Sequence, residues 1–132
     1  MYEKIQQTIT INCSAKQAFD FTLDPNNTPK WVSALITEQA SETPTKLGTV
    51  YKNQDASGNW REFVITQFER DKMFEMTEKG SNVHVKYTFI PLGNEDCQLQ
   101  YDVTSTEGKL AGPFNAANIK QILQKLKTVI EK

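Results

Sequence analysis

Acid–base chemistry in this chain would start from His84, the one side chain whose ordinary titration falls near neutral pH. Its strand decides against it. Val83, Val85, Tyr87 and Phe89 alternate with His84, Lys86 and Thr88, so the apolar set turns inward and His84 faces water. No serine sits in a GxSxG turn, and an outward histidine completes no nucleophile–histidine–acid triad. Cys13 and Cys97 are the two thiols, and they form no CxxC pair. With a single histidine they cannot complete a His/Cys zinc site. No catalytic residue, no metal and no cofactor is assigned. Neither GxGxxG nor GxxxxGK[ST] occurs, so those nucleotide-binding motifs are missing.

The carboxylates Asp55, Glu69, Asp71, Glu95 and Asp96 fall in turn-like stretches and read as solvated. Arg61 and Glu62 are different. Between Trp60 and Phe68 both phases of the strand carry apolar residues: Trp60 and Val64 share a face with Glu62, Phe63 and Ile65 share one with Arg61. Whichever face is inward brings one charge toward the interior. The favoured phase, with Phe63 and Ile65 inward, points Arg61 at an anionic group of a ligand or lets it snorkel to water at the strand's open end.

Binding is the other chemistry on offer. Trp31, Phe74, Tyr87, Phe89, Tyr101 and Phe114, with Met76, fall on the apolar phase of their elements. Such side chains suit a concave apolar pocket, and they would equally fill a solid core. Phe63, Asn118 and Ile122 complete the candidate ligand-binding set. Tyr87 and Tyr101 are the candidates for polar contacts, because a buried phenol seeks a partner.

The elements that position these residues follow from spacing and punctuation. Tyr2 to Asn12 alternates, with Ile5, Ile9 and Ile11 on one face, and predicts a half-buried strand. Ser14 followed by Gln17 is a capping box, predicting a helix to about Leu23 that stops before Asp24-Pro25. Thr28-Pro29 predicts a second, very short helix with Thr28 as cap. Strands are predicted at Ala34–Gln39, Gly48–Gln54, Trp60–Phe68, Met73–Glu78, Val83–Pro91 and Cys97–Ser105. The breaks from Gly58 onward are too short for parallel crossovers, so this region is an antiparallel meander. Gly112-Pro113 predicts the start of a last helix running to Glu131, roughly 28 Å long. Its stripe of Ile119, Ile122, Leu123, Leu126, Val129 and Ile130 must be buried, and the sheet is the one large partner.

The chain has 132 residues, 38% hydrophobic and 23% charged, which bounds it to one α+β domain over 1–132. With 15 basic against 16 acidic residues there is no excess for a phosphate backbone, and no nucleic-acid partner is expected. No window reaches the length of an apolar span and the N-terminus has no signal-like run. The expectation is no integral membrane association and a cytoplasmic location. Cys13 ends the first strand and Cys97 begins the last, so if these strands pair antiparallel the thiols are neighbours, both reduced.

The order of one strand, two short helices, a meander of about six strands and a long helix resembles the START-like superfamily, also called the SRPBCC or Bet v 1-like group. Within it, the chain is most similar to small bacterial polyketide cyclase/dehydrase-like members. The resemblance rests on Ile9 to Phe19 running strand into helix, Asp24-Pro25 followed by Trp31, Leu47-Gly48-Thr49, and Ile65 to Arg70, where Arg70 stands in place of the family's usual proline. It implies a helix-grip fold with about seven antiparallel strands wrapped around the last helix. It also implies a small hydrophobic ligand, whether lipid, polyketide or aromatic, carried in a cavity between sheet and helix. A cyclase- or aromatase-like enzyme and an Hsp90-activator-like interaction domain are the alternatives in the same group. With no catalytic constellation in view, binding without catalysis is the first expectation. Ligand identity and oligomeric state are open.

Overall fold

The computed structural model describes residues 3–106, 110 and 114–131. The elements, in order, are β1 (Glu3–Ile11), α1 (Ala15–Leu23), α2 (Thr28–Trp31), β2 (Leu35–Ala40), β3 (Val50–Asp55), β4 (Trp60–Glu69), β5 (Met73–Glu78), β6 (Val83–Pro91), β7 (Cys97–Ser105) and α3 (Ala116–Ile130). Seven strands form one sheet in the order β1-β7-β6-β5-β4-β3-β2, each neighbouring pair antiparallel. β1 and β2 are the two edges, so α1 and α2 carry the chain from one edge to the other. This is the helix-grip α+β arrangement.

Local chemistry accounts for the helix ends. Ser14 Oγ accepts from the Gln17 amide at 3.1 Å while Gln17 Oε1 accepts from the Ser14 amide at 3.1 Å, the reciprocal capping box. α1 ends at an extended Asp24, ahead of Pro25. α2 departs from expectation: Asn27 is its cap, without a side-chain capping bond to the helix backbone, and Thr28 is already helical. The Thr28 hydroxyl donates instead to Glu38.

The last helix also starts later than expected. Gly112-Pro113 lie outside the described residues, as does Tyr2. Asn115 is extended (φ −136°, ψ 155°) and accepts from the Asn118 amide at 2.9 Å, so α3 begins at Ala116. An asparagine cap satisfies an orphan amide of the first turn. The 15-residue helix is then roughly 22 Å long. Ile119, Leu123 and Leu126 are its buried residues, and it packs on β1 and α2. No helix among the described residues is long and apolar enough to cross a membrane.

Antiparallel pairing sets Ile11 opposite Cys97. The thiols of Cys13 and Cys97 are buried and free, and burial pushes both up, with each thiol also acting on the other. Under α1 the inner face of the sheet is solid. Phe19 meets Phe68, Phe74 and Phe89 edge-on, each at 5.7 Å between ring centroids.

Candidate functional site

Away from α1 the inner face is hollow. A cavity of about 410 Å³ lies between the sheet, α2 and α3. Trp31 from α2 and Phe63, Met76, Tyr87 and Tyr101 from four strands form its walls, and Phe114, Asn118 and Ile122 reach it from the α3 side. The structure thus brings eight of the ten candidate residues together around one space. Phe74 and Phe89 are not among its lining. Phe74 stacks on Tyr87 at 4.3 Å, and Phe74 and Phe89 each pack against Phe19, so these two support the wall from behind.

The phase of β4 settles the charge next to the cavity. Phe63 and Ile65 are buried, Trp60 is 51% exposed, and Arg61 lines the cavity. Glu62 turns outward, between Lys52 at 3.2 Å and Lys79 at 3.4 Å. Arg61 Nε lies 3.6 Å from Glu78 Oε2 and its Cζ sits 5.5 Å from the centroid of the Phe114 ring. Lys125 also lines the cavity and donates to Ser33 Oγ at 2.7 Å. Asp55, on the same rim, accepts from the amides of Ser57 at 2.9 Å and Asn59 at 3.0 Å, which hold its carboxyl below the usual carboxylate range. It is a turn residue by function.

One polar group was not anticipated. Glu38 lines the cavity; its Oε1 accepts from Thr28 Oγ1 at 2.6 Å and its Oε2 from Asn53 Nδ2 at 3.2 Å. Glu38, Asn53 and Arg61 are register partners, a row across β2, β3 and β4. A register shift between Leu35 and Thr37 aims the glutamate. Without it Leu35 and Glu38 would point to opposite faces; with it both line the cavity, and Ile36 is left 58% exposed. Burial pushes the Glu38 carboxyl up, and the bonds from Thr28 and Asn53 only partly oppose this.

Tyr87 and Tyr101 meet at 5.0 Å between centroids in a T-shape. Burial raises both phenols well above their ordinary range, and the Glu38 charge adds to it. The third inward phenol, Tyr51, donates to the Leu23 carbonyl at 2.6 Å and shares a second bond with Thr45. Burial first, then nearby negative charge, pushes it up to about 12. The Trp31 indole nitrogen is buried without a partner.

His84 is on the other side of the sheet. Its Nδ1 pairs with Thr77 Oγ1 at 2.8 Å, in a chain that continues through Thr66 to Glu75. No group of three or more metal-ligating side chains occurs among the described residues. The cavity can therefore enclose an apolar body, offer hydrogen bonds at Glu38 and the tyrosine pair, and meet charge at its rim.

Residues 2–131 match the family model described as polyketide cyclase / dehydrase and lipid transport. No curated protein matches the chain. Among solved structures it is similar to a START superfamily protein from Mycobacterium smegmatis, with TM-score 0.78, 12% identity and 97% of each chain covered. It is also similar to norcoclaurine synthase from Thalictrum flavum in complex with dopamine and hydroxybenzaldehyde, with TM-score 0.72 and 9% identity, covering 99% of this chain and 87% of that one. A third likeness is to the Aha1 dimer from Colwellia psychrerythraea, with TM-score 0.69 and 19% identity, covering 98% and 96%. At these identities the likeness is one of fold.

Proposed function

Because this chain belongs to the polyketide cyclase / dehydrase and lipid transport family, we propose that it binds and carries a small, mostly hydrophobic ligand in the cavity between sheet and α3. The observation that carries the reading is the cavity of about 410 Å³, walled by Trp31, Phe63, Met76, Tyr87 and Tyr101. That volume falls in the range of small-molecule sites, and aromatic walls with a few polar groups are their usual lining. Phe114, Asn118 and Ile122 close the helix side. Two free thiols fit a reducing compartment, and action in the cytoplasm is part of the proposal.

A cyclase-like enzyme is the second reading, and one observation favours it: an ionisable carboxyl faces the same space as two phenols. Glu38 bonds to Thr28 and Asn53 rather than to a tyrosine hydroxyl, which is why carriage is preferred. The interaction-domain reading finds little apolar surface on the outer face of β6 and β7, where the outward positions are His84, Lys86, Thr88, Ile90, Gln98, Gln100, Asp102 and Thr104 and Ile90 is the one hydrophobic residue among them.

The test is native mass spectrometry of protein purified from its own host, joined to a thermal-shift panel of lipids, polyketides and aromatics. A co-purified small molecule, or a rise in Tm that grows with ligand concentration, is the expected result. An empty protein that no panel member stabilises overturns the reading.

A further inference from the structure

We infer that the cavity takes a compact hydrophobic molecule carrying a protonated amine, seated with its ammonium on the Glu38 carboxylate. The inference rests on reading the cavity as a ligand site, and it names the class of ligand.

Glu38 faces the cavity with a charge that the protein leaves unbalanced. Its two partners, Thr28 and Asn53, are neutral donors. The ion pairs of the described residues join lysine and arginine to other carboxylates, Glu62 and Glu78 among them, and none reaches Glu38. The two cations on the cavity lining are engaged elsewhere: Arg61 with Glu78 and Phe114, Lys125 with Ser33. A buried carboxylate needs a countercharge or a proton. Each Glu38 oxygen accepts one bond, so each keeps acceptor capacity.

The remaining surroundings fit an ammonium. Trp31, Tyr87 and Tyr101 line the same cavity, with Trp31 edge-on to Tyr87 at 6.3 Å. Aromatic faces attract cations, more strongly where water is excluded. An ammonium has three donors, enough for both Glu38 oxygens and the Tyr87–Tyr101 pair. A neutral alcohol could donate to Glu38 but could not cancel its charge. A carboxylate seated inward would meet a like charge.

The experiment measures binding to the whole chain by isothermal titration calorimetry, with four probes sharing one ring system: 2-(2-naphthyl)ethylamine, 2-(2-naphthyl)ethanol, 2-naphthylacetate and naphthalene. The amine is expected to bind at least tenfold more tightly than the alcohol, and the carboxylate more weakly than both. Glu38→Gln is expected to bring the amine down to the alcohol's affinity, while naphthalene, which has no polar group to set against residue 38, keeps its affinity and so shows that the variant is folded with its cavity intact. The wild-type series decides by itself if the variant does not fold. An amine no tighter than the alcohol, or an amine preference that survives Glu38→Gln, overturns the inference and leaves the cavity reading standing. Failure of all four probes to bind overturns the inference, and the cavity reading is then decided by the native mass spectrometry and the wider panel.

Discussion

At one end of the inner sheet face Phe19 takes Phe68, Phe74 and Phe89 edge-on at 5.7 Å. At the other, Trp31, Tyr87 and Tyr101 stand around a space of about 410 Å³. The residue types are nearly the same at both ends. What differs is the cover and the polarity. The solid end lies under α1, nine residues long and anchored by a complete capping box, with Ala18 and Phe19 fully buried. The hollow end is covered by the four-residue α2 and by α3, whose Asn118 and Ile122 line the space without filling it. Its inner face also carries Glu38, Asn53 and two phenols, which cannot be packed dry without partners. Aromatic side chains are thus neutral about whether they make a core or a pocket. The helix above and the polar groups among them decide.

The largest expected effect contrasts truncation at the two ends. Phe74 is 1% exposed and stacked at 4.3 Å on Tyr87. Phe74→Ala should cost about 3–5 kcal/mol, because the cavity it leaves lies in close-packed surroundings. Phe114 is half-buried on the rim of a space that already exists. Phe114→Ala should cost no more than about 1 kcal/mol, and the charge packed over its ring should account for part of that. Urea denaturation of the two variants checks this. Similar losses would mean that the two ends are packed alike and the comparison fails.

Tyr51 stands where the two regions join, since its hydroxyl ties the end of α1 to β3 through the Leu23 carbonyl. At pH 7, Tyr51→Phe should cost roughly 1–2 kcal/mol, the loss of two hydrogen bonds in a buried setting. The folded phenol titrates at about 12 against an ordinary 10. A raised value means that the protonated form is favoured by folding. Its contribution is complete below pH 10 and is lost as pH rises toward 12, by roughly 2–3 kcal/mol. The gap between wild type and Tyr51→Phe should therefore narrow between pH 10 and 12 and then reverse. Parallel stability curves over that range would show that the hydroxyl is not held as described.

Much of this comparison was legible in the residues. Alternation in Cys97–Ser105 and Val83–Pro91, the Ser14–Gln17 box and the apolar stripe of α3 each announce an element and its buried face. The antiparallel meander follows from short breaks, and the pairing of Ile11 with Cys97 brings the thiols together. What was not legible needs more than one element at a time. Phe74 and Tyr87 sit on equivalent apolar phases, and only the position of Phe19 above them separates filler from lining. Glu38 was hidden by the irregularity in β2: a strict two-residue alternation puts it on the face of Ile36, which is exposed. Thr28 was read as a helix cap because threonine before proline caps helices, whereas its hydroxyl is taken by that same unseen glutamate. For the last helix, the pull of Gly112-Pro113 concealed Asn115, a better cap three residues before the Asn118 amide it bonds.

The smallest expected effect is a gain in stability, and it tests whether the hollow end is arranged at the expense of stability. Glu38 has its carboxyl raised chiefly by burial, so ionising it is harder in the folded chain than in the unfolded one. The sign follows from that direction. Below the ordinary carboxylate range both states hold the proton and the group exacts no penalty. As pH rises through the raised folded value the unfolded chain is already ionised, and the folded state loses stability. Glu38→Gln removes the charge while keeping the shape. Thr28 can still donate to its amide oxygen, and Asn53 can turn its own amide to accept. With no ligand bound, the variant should melt a few degrees above wild type at pH 8, with the difference closing by pH 4. Scanning calorimetry of both proteins across that range reads the effect directly. A variant that melts lower at pH 8 would mean that the carboxylate is well satisfied by Thr28 and Asn53 alone, and then the polar floor would be ordinary structure, no different in kind from the packed end.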